Sequence, residues 1–390
     1  MAERFAPNRA DRAASDAVLR TVGFRHWTQD ITGGAWRALW LAGLGWLFEV
    51  YEIFILALTI PALARYFSLS SAQAGMIGAA AVFGLITGGI ALGYIADRIG
   101  RVRTLSLAIL IYSLFTCATA FAGTAFQVGA LRLLAGFGMG GAWSAGATLV
   151  AETWGPAHRG KGGALMQMGL PLGSLLAIGI VALATVLAGD LASGAWRWVY
   201  AVGLLPAVFL CPFARRTPDS EIWARRPRTR RGDIRDLLRG RNARGLTTAF
   251  GFIFFVQYTY WAVFTWTPDF LVSVKHLRFM HSLAFTLLQQ AGALCGFLGF
   301  AFLVDRAGRR PTLSLYLLIS AAAIAIFVIG ERPIPLGIAS LLTGFGVTGL
   351  FAGMGSFTAE LVPDTTARGL AMGLAYNGGR TGGLLATYLV

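Results

Sequence analysis

The chain has 390 residues; 56% are of the types AVILMFWYC and only 13% are charged. Soluble domains carry about 25% charge, so this balance excludes an ordinary soluble globule. The formal net charge of +15 sits mostly in short connections between apolar runs, which points to the basic side of a membrane polypeptide and away from nucleic-acid binding.

Residues 1–35 form a leader containing Arg4, Arg9, Arg12, Arg20 and Arg25, and no cleavable signal is expected there. A membrane-crossing helix needs roughly 20 mostly apolar residues. Runs of that kind predict spans at 36–64, 72–96, 104–123, 126–151, 161–188 and 196–213. A polar, Arg-rich linker over 214–244 follows, within which Asp233–Leu238 suits a short amphipathic helix. Further spans are predicted at 245–272, 281–303, 311–330, 334–359 and 369–390. The expected fold is therefore all-α: a polytopic helical bundle with transmembrane halves at 36–213 and 245–390. Positive charge clusters before span one and after spans two, four, six, eight and ten. That alternation places the N-terminus in the cytoplasm, with the inner (plasma) membrane of a bacterium as the expected location.

Several charges fall where hydrocarbon makes them costly. Glu49 and Glu52 lie in span one, three residues apart and so on one side of the helix. A carboxylate at mid-membrane costs at least a few kcal/mol unless it faces a polar cavity, finds a partner or takes up a proton. Arg132 lies about two turns into span four from its outer end and is a partner for Glu52 if span four stands beside span one. Arg380 lies about twelve residues into span eleven, roughly 18 Å at the helical rise. It either binds a substrate anion, with Tyr376 and Asn377 adding hydrogen bonds, or pairs with a protein acid such as Asp269. Gln167 in span five, Gln257 and Tyr260 in span seven, and Gln289 in span eight suit a polar cavity.

Asp97-Arg98-Ile99-Gly100-Arg101 returns as Asp305-Arg306-Ala307-Gly308-Arg309, an offset of 208 residues (305 − 97), and Glu152 and Glu360 keep the same offset. Two parallel halves explain this. At that offset the acid–base pair has no second copy, since Tyr260 and Ser340 stand where Glu52 and Arg132 stand in the first half. A sixth span in the second half would lie beyond Val390, so that half is expected to be truncated, for about eleven spans in all.

Gly93-Tyr94-Ile95-Ala96-Asp97-Arg98-Ile99-Gly100-Arg101, with its second copy, resembles the signature of the major facilitator superfamily between spans two and three. Arg132 followed by Gly136, Gly138, Gly140 and Gly141 resembles the family's span-four pattern. Glu152, Pro156, Arg159-Gly160 and Glu360, Pro363, Arg368-Gly369 resemble its elements after spans four and ten. The resemblance implies alternating access, with Gly93, Asp97, Arg98, Gly100, Arg101, Glu152, Arg159, Asp305, Arg306, Arg309, Glu360 and Arg368 forming a cytoplasmic gate. It also implies that Arg132 lies near span one and that Glu49, Glu52 and Arg132 couple transport to protons. Glu49-Val50-Tyr51-Glu52 is similar to the acid-x-aromatic-acid element of organic-acid:proton symporters. Tyr376-Asn377-Gly378-Gly379-Arg380 is similar to an element of sialate and related carboxylate symporters.

The expected activity is proton-coupled symport of a small organic anion by a monomer in the lipid bilayer. A sugar:proton symporter is the alternative; a drug:proton antiporter and a non-transporting sensor come behind it. An enzyme is not expected, because His26, His158, His276 and His281 are scattered and Cys117, Cys211 and Cys295 lack metal spacing. No cofactor beyond the coupling proton is expected.

Overall fold

The computed structural model describes residues 31–225, 234–275, 279–362 and 366–389. The leader to residue 30, the linker's middle, Pro363 and Val390 lie outside them, and with them the start of the suggested amphipathic helix. The first half consists of α1 (Gly33–Tyr66), α2 (Ser71–Ile99), α3 (Arg101–Thr119), α4 (Ala125–Thr153), α5 (Gly155–Gln167), α6 (Gly169–Ala188), α7 (Trp196–Ala201) and α8 (Leu205–Ala214). Short helices α9 (Glu221–Ala224) and α10 (Ile234–Leu237) belong to the linker. The second half holds α11 (Gly240–Asp269), α12 (Phe279–Leu303), α13 (Arg309–Ile329), α14 (Pro333–Thr343), α15 (Phe351–Leu361) and α16 (Arg368–Leu389), with a π-helical turn at Gly344–Thr348. Ten helical segments among the described residues are long and apolar enough to cross a membrane. The eleventh predicted run corresponds to α16.

Local chemistry sets the helix starts. Thr32 Oγ1 accepts the Ala35 N–H at 3.2 Å, and Ser70 with Gln73 forms a reciprocal capping box. Thr124 caps α4 through the Gln127 N–H at 3.2 Å. Span five begins at Gly155, six residues before the predicted 161. Gly155 turns the chain with φ +61° and Pro156 opens the helix, so Arg159 and Lys161 ride on its first turns and not in a connection.

The repeat is structural as well as sequential. A Cβ on Gly84 would collide with the Leu133 carbonyl, and one on Gly292 with that of Leu341, at the same offset. Gly136 against Ala81 and Gly344 against Gln289 form the reciprocal pair of contacts. Small residues bring these helix backbones together where lipid supplies no hydrophobic drive. Gly100 and Gly308, with φ of +110° and +86°, make the matching sharp turns into α3 and α13.

The halves meet along α16 with α2 and α4, α15 with α4 and α5, and α12 with α5 and α6. Their charged connections lie on one face: Arg309 donates to the Pro156 carbonyl at 3.3 Å, and Lys161 stands 3.6 Å from Asp305.

Candidate functional site

Between the halves lies a cavity of about 240 Å³. From the first half it is walled by Trp46, Val50, Ile53, Phe54, Val82, Leu85 and Leu170. From the second half come Gln257, Tyr260, Trp261, Phe351, Tyr376, Arg380, Gly383 and Leu384. Arg380 is the one charged side chain among the described lining residues. Aromatic packing fixes its surroundings: Tyr376 stacks on Trp143 at 3.5 Å with an interplanar angle of 11°, and the Arg380 guanidinium lies 5.0 Å from the Tyr376 ring. Tyr260 stacks on Phe264 at 4.4 Å. Gln257 Nε2 is buried and has no hydrogen-bond partner among the described residues.

Four of the seven predicted substrate contacts line this cavity: Arg380, Tyr376, Gln257 and Tyr260. The other three are placed in helix contacts. Asn377 Nδ2 donates to the Gly140 and Gly373 carbonyls, both at 3.3 Å, and presses on Gly89. Gln167 accepts from Trp143 Nε1 and donates to the Phe351 carbonyl, each at 3.1 Å, so it braces the stacked Trp143 within its own half and ties it to the second. Gln289 donates to Thr267 Oγ1 at 3.4 Å, between α12 and α11. Each of these amides meets a backbone or hydroxyl partner before it can reach the cavity.

A protein acid, the alternative expected partner, does stand beside Arg380. Its Nη2 lies 2.9 Å from Glu49 Oε1, a buried ion pair joining α1 to α16 across the halves. The Asp269 side chain lies outside the described residues. Glu52 faces away from the cavity, into the first half. Thr116 donates to it, Arg132 Nη2 donates to the same hydroxyl at 2.6 Å, and Arg132 Nη1 stands 3.8 Å from Glu52 Oε2. Arg132 also lies 4.9 Å from the Tyr200 ring. Thr116 drew no notice in the sequence, where it is one more small residue in an apolar run.

At the basic face the halves are sealed by a second group of charges. Asp97 accepts the Gly369 and Leu370 N–H groups, at 3.0 and 2.9 Å, at the first turn of α16. Arg101, fully buried, donates to Asp97 at 3.0 Å, to both oxygens of Glu152 at 2.9 and 3.1 Å, and to the Ala96 carbonyl at 2.9 Å. Arg368 reaches Glu152 at 3.4 Å. Gly93 admits this contact, since a Cβ there would stand 2.7 Å from the Gly369 carbonyl. In the second copy Arg309 pairs with Glu360 at 2.8 Å, while Asp305 stands 3.6 Å from Lys161 and 3.8 Å from Arg309. Burial pushes the Asp305 carboxyl above the usual carboxylate range, opposed by Lys161 and Arg309. Arg98 and Arg306 are exposed, and Arg98 lies over the Tyr94 ring at 4.3 Å. Arg159 donates to the Ala151 carbonyl at 2.7 Å rather than to a carboxylate.

Two linker residues join the seal without having been singled out in the sequence. Asp219 accepts the Arg101 and Val102 N–H groups at 3.0 and 3.3 Å, capping α3, and Trp223 Nε1 donates to the Asp97 carbonyl at 2.9 Å. An acid amid a run of arginines was the available signal.

Two repeated helical halves around a shared cavity, sealed on one face by charges, define a secondary membrane transporter. The profile of the Major Facilitator Superfamily matches residues 42–387. A relative in Cupriavidus pinatubonensis, named "Probable 4-methylmuconolactone transporter", is 32% identical over 352 residues, covering 88% of this chain and 80% of the relative. The "Gentisate transporter" of Corynebacterium glutamicum is 30% identical over 371 residues, covering 92% and 82%. The proton:xylose symporter XylE, solved with 6-bromo-6-deoxy-D-glucose, shares the fold with a TM-score of 0.71 at 18% identity, covering 91% of this chain and 87% of that one. The chain belongs to the major facilitator superfamily.

Proposed function

We propose that this transporter carries a small organic anion with a single carboxylate, together with a proton, by alternating access. The carrying observation is Arg380, the one charged side chain among the described residues lining a cavity whose other walls are aromatic and aliphatic apart from Gln257. A buried guanidinium favours a carboxylate, which it can hold by two parallel hydrogen bonds. The aromatic walls suit a flat, unsaturated body, and the free Gln257 N–H suits an acceptor on it. Relatives named for gentisate and 4-methylmuconolactone agree with this chemistry. A sugar would bring a ring of hydroxyls to a wall offering Gln257, Tyr260 and Tyr376 as its neutral polar groups.

In this reading the proton is held by one of the two buried acids of α1, and the charges around Asp97, Arg101 and Glu152 form the gate, with Asp305, Arg309 and Glu360 as its second copy. The Arg-rich face lies in the cytoplasm of a bacterium by the positive-inside rule, and the protein works as a monomer with no cofactor. The test is uptake of gentisate into proteoliposomes under an inward proton gradient. Uptake should need the gradient and stop with a protonophore, and the corresponding amide should not compete. Equal affinity for gentisate and its amide would overturn the anion reading in favour of a sugar.

A further inference from the structure

Glu49 and Glu52 are one turn apart on α1 and both fully buried, yet they face different parts of the molecule. Among the described residues, everything that holds Glu52 belongs to the first half: Thr116 of α3, Arg132 of α4 and, beyond them, Tyr112 and Tyr200. Gly203, between α7 and α8, closes over it, since a Cβ there would stand 3.3 Å from Glu52 Oε1. Rocking the halves apart leaves this nest unchanged. Glu49 is held otherwise. Its ion-pair partner Arg380 belongs to the second half and lines the cavity. Among the described residues, the other titratable groups near it are Tyr376 on α16, Tyr112 on α3 and Glu52 on its own helix.

The pair is also incomplete. Only Arg380 Nη2 and Glu49 Oε1 bond, at 2.9 Å; Glu49 Oε2 and Arg380 Nε have no hydrogen-bond partner among the described residues. A free carboxylate entering from the cavity can use both Nη2 and Nε, which the tethered Glu49 does not. Resting on the organic-anion reading, we infer that Glu49 is an internal carboxylate that occupies the Arg380 site until substrate displaces it. The released Glu49 then takes up the transported proton, one for each anion.

The charges balance. The entering carboxylate replaces the Glu49 carboxylate on the guanidinium. Glu49, left buried without a counter-ion, binds a proton from cavity water and becomes neutral. The loaded site has gained one negative and one positive charge. On the other side the anion leaves, Glu49 returns its proton to water, and the pair with Arg380 re-forms. Glu52 keeps Arg132 throughout and acts as a positioning residue.

The test is gentisate binding to the full chain in lipid nanodiscs between pH 5.5 and 8.5. In the wild type the Kd should rise about tenfold per pH unit on the alkaline limb, the slope for one linked proton. Glu49→Gln should flatten that dependence and keep tight binding at pH 8.5, because competitor and proton site are both gone. Glu52→Gln should keep the slope. If Glu49→Gln does not fold, Glu49→Asp serves instead: the shorter acid competes less well, so gentisate should bind several-fold tighter at pH 8.5 with the slope retained. A slope that survives Glu49→Gln, a slope lost in Glu52→Gln, or weaker binding in Glu49→Asp overturns the inference alone. A wild type that binds xylose and not gentisate overturns the anion reading and the inference together.

Discussion

A guanidinium among aromatic rings must have an anion, and among the described residues Arg380 has one only through a single bond to Glu49. Its fork geometry is therefore the property to test. Arg380→Lys keeps the charge but gives up the paired hydrogen bonds, each charge-assisted one worth about 1.5–3 kcal/mol. Gentisate affinity should fall about 10- to 100-fold, as measured by equilibrium binding at pH 6; an unchanged affinity would remove Arg380 from the anion site. Gln257→Leu should weaken binding less, about 5-fold for a neutral hydrogen bond, and the loss should vanish for an acid lacking a second acceptor. At this scale each costly charge was visible in the sequence, because an ion in an apolar run stands out whatever its partner. The partnership was not. Glu49 and Arg380 lie 331 residues apart in different halves, and only the packing of α1 near α16 makes them neighbours. Asn377 and Gln167 failed as cavity residues for the opposite reason: an amide serves equally well as a helix–helix tie, and helical periodicity does not say which face meets backbone.

Helices meet here through interlocks of glycine against carbonyl, and the repeated register makes a paired prediction. Gly84→Val and Gly292→Val each push a branched side chain into a carbonyl at equivalent α2–α4 and α12–α14 contacts. Overpacking of this kind costs about 1–3 kcal/mol or more. Both variants should lower the thermal unfolding midpoint by similar amounts, and a large effect in one half only would break the equivalence. The seal between α2 and α16 makes another. Asp97→Asn removes charge-assisted bonds to the Gly369 and Leu370 N–H groups and an ion-pair partner of Arg101. The sealed state should lose about 1.5–3 kcal/mol, and a cysteine placed at Ser356, buried at the seam between the halves, should label faster with a polar thiol reagent. The helices themselves were legible, since length and apolarity mark them and the repeated charged segment sets their order. Their ends were less so. Span five was placed late because Arg159 and Lys161 look like a connection, whereas Gly155 and Pro156 had already begun the helix beneath them. Asp219 escaped notice because its partners are backbone N–H groups of Arg101 and Val102, which leave no trace in composition.

The whole molecule is closed at its basic face and holds its cavity between the halves, so transport requires that face to part. The seam offers a direct way to forbid it. Gly163 on α5 and Ser356 on α15 face each other across the halves, and a Cβ built on Gly163 stands 3.8 Å from the Ser356 Cβ. That separation is the mean for a disulfide. Cys117, Cys211 and Cys295 can first be replaced by Ala, leaving a background free of other thiols. In it, Gly163→Cys with Ser356→Cys should cross-link under mild oxidation and hold the face shut. Gentisate should still bind from the opposite side, since neither residue lines the cavity, while uptake into proteoliposomes should fall to background and return with dithiothreitol. The single-cysteine variants should transport under both conditions, which separates locking from damage by substitution. Full uptake by the cross-linked protein would mean that substrate crosses without these helices separating, and alternating access about this seam would be ruled out.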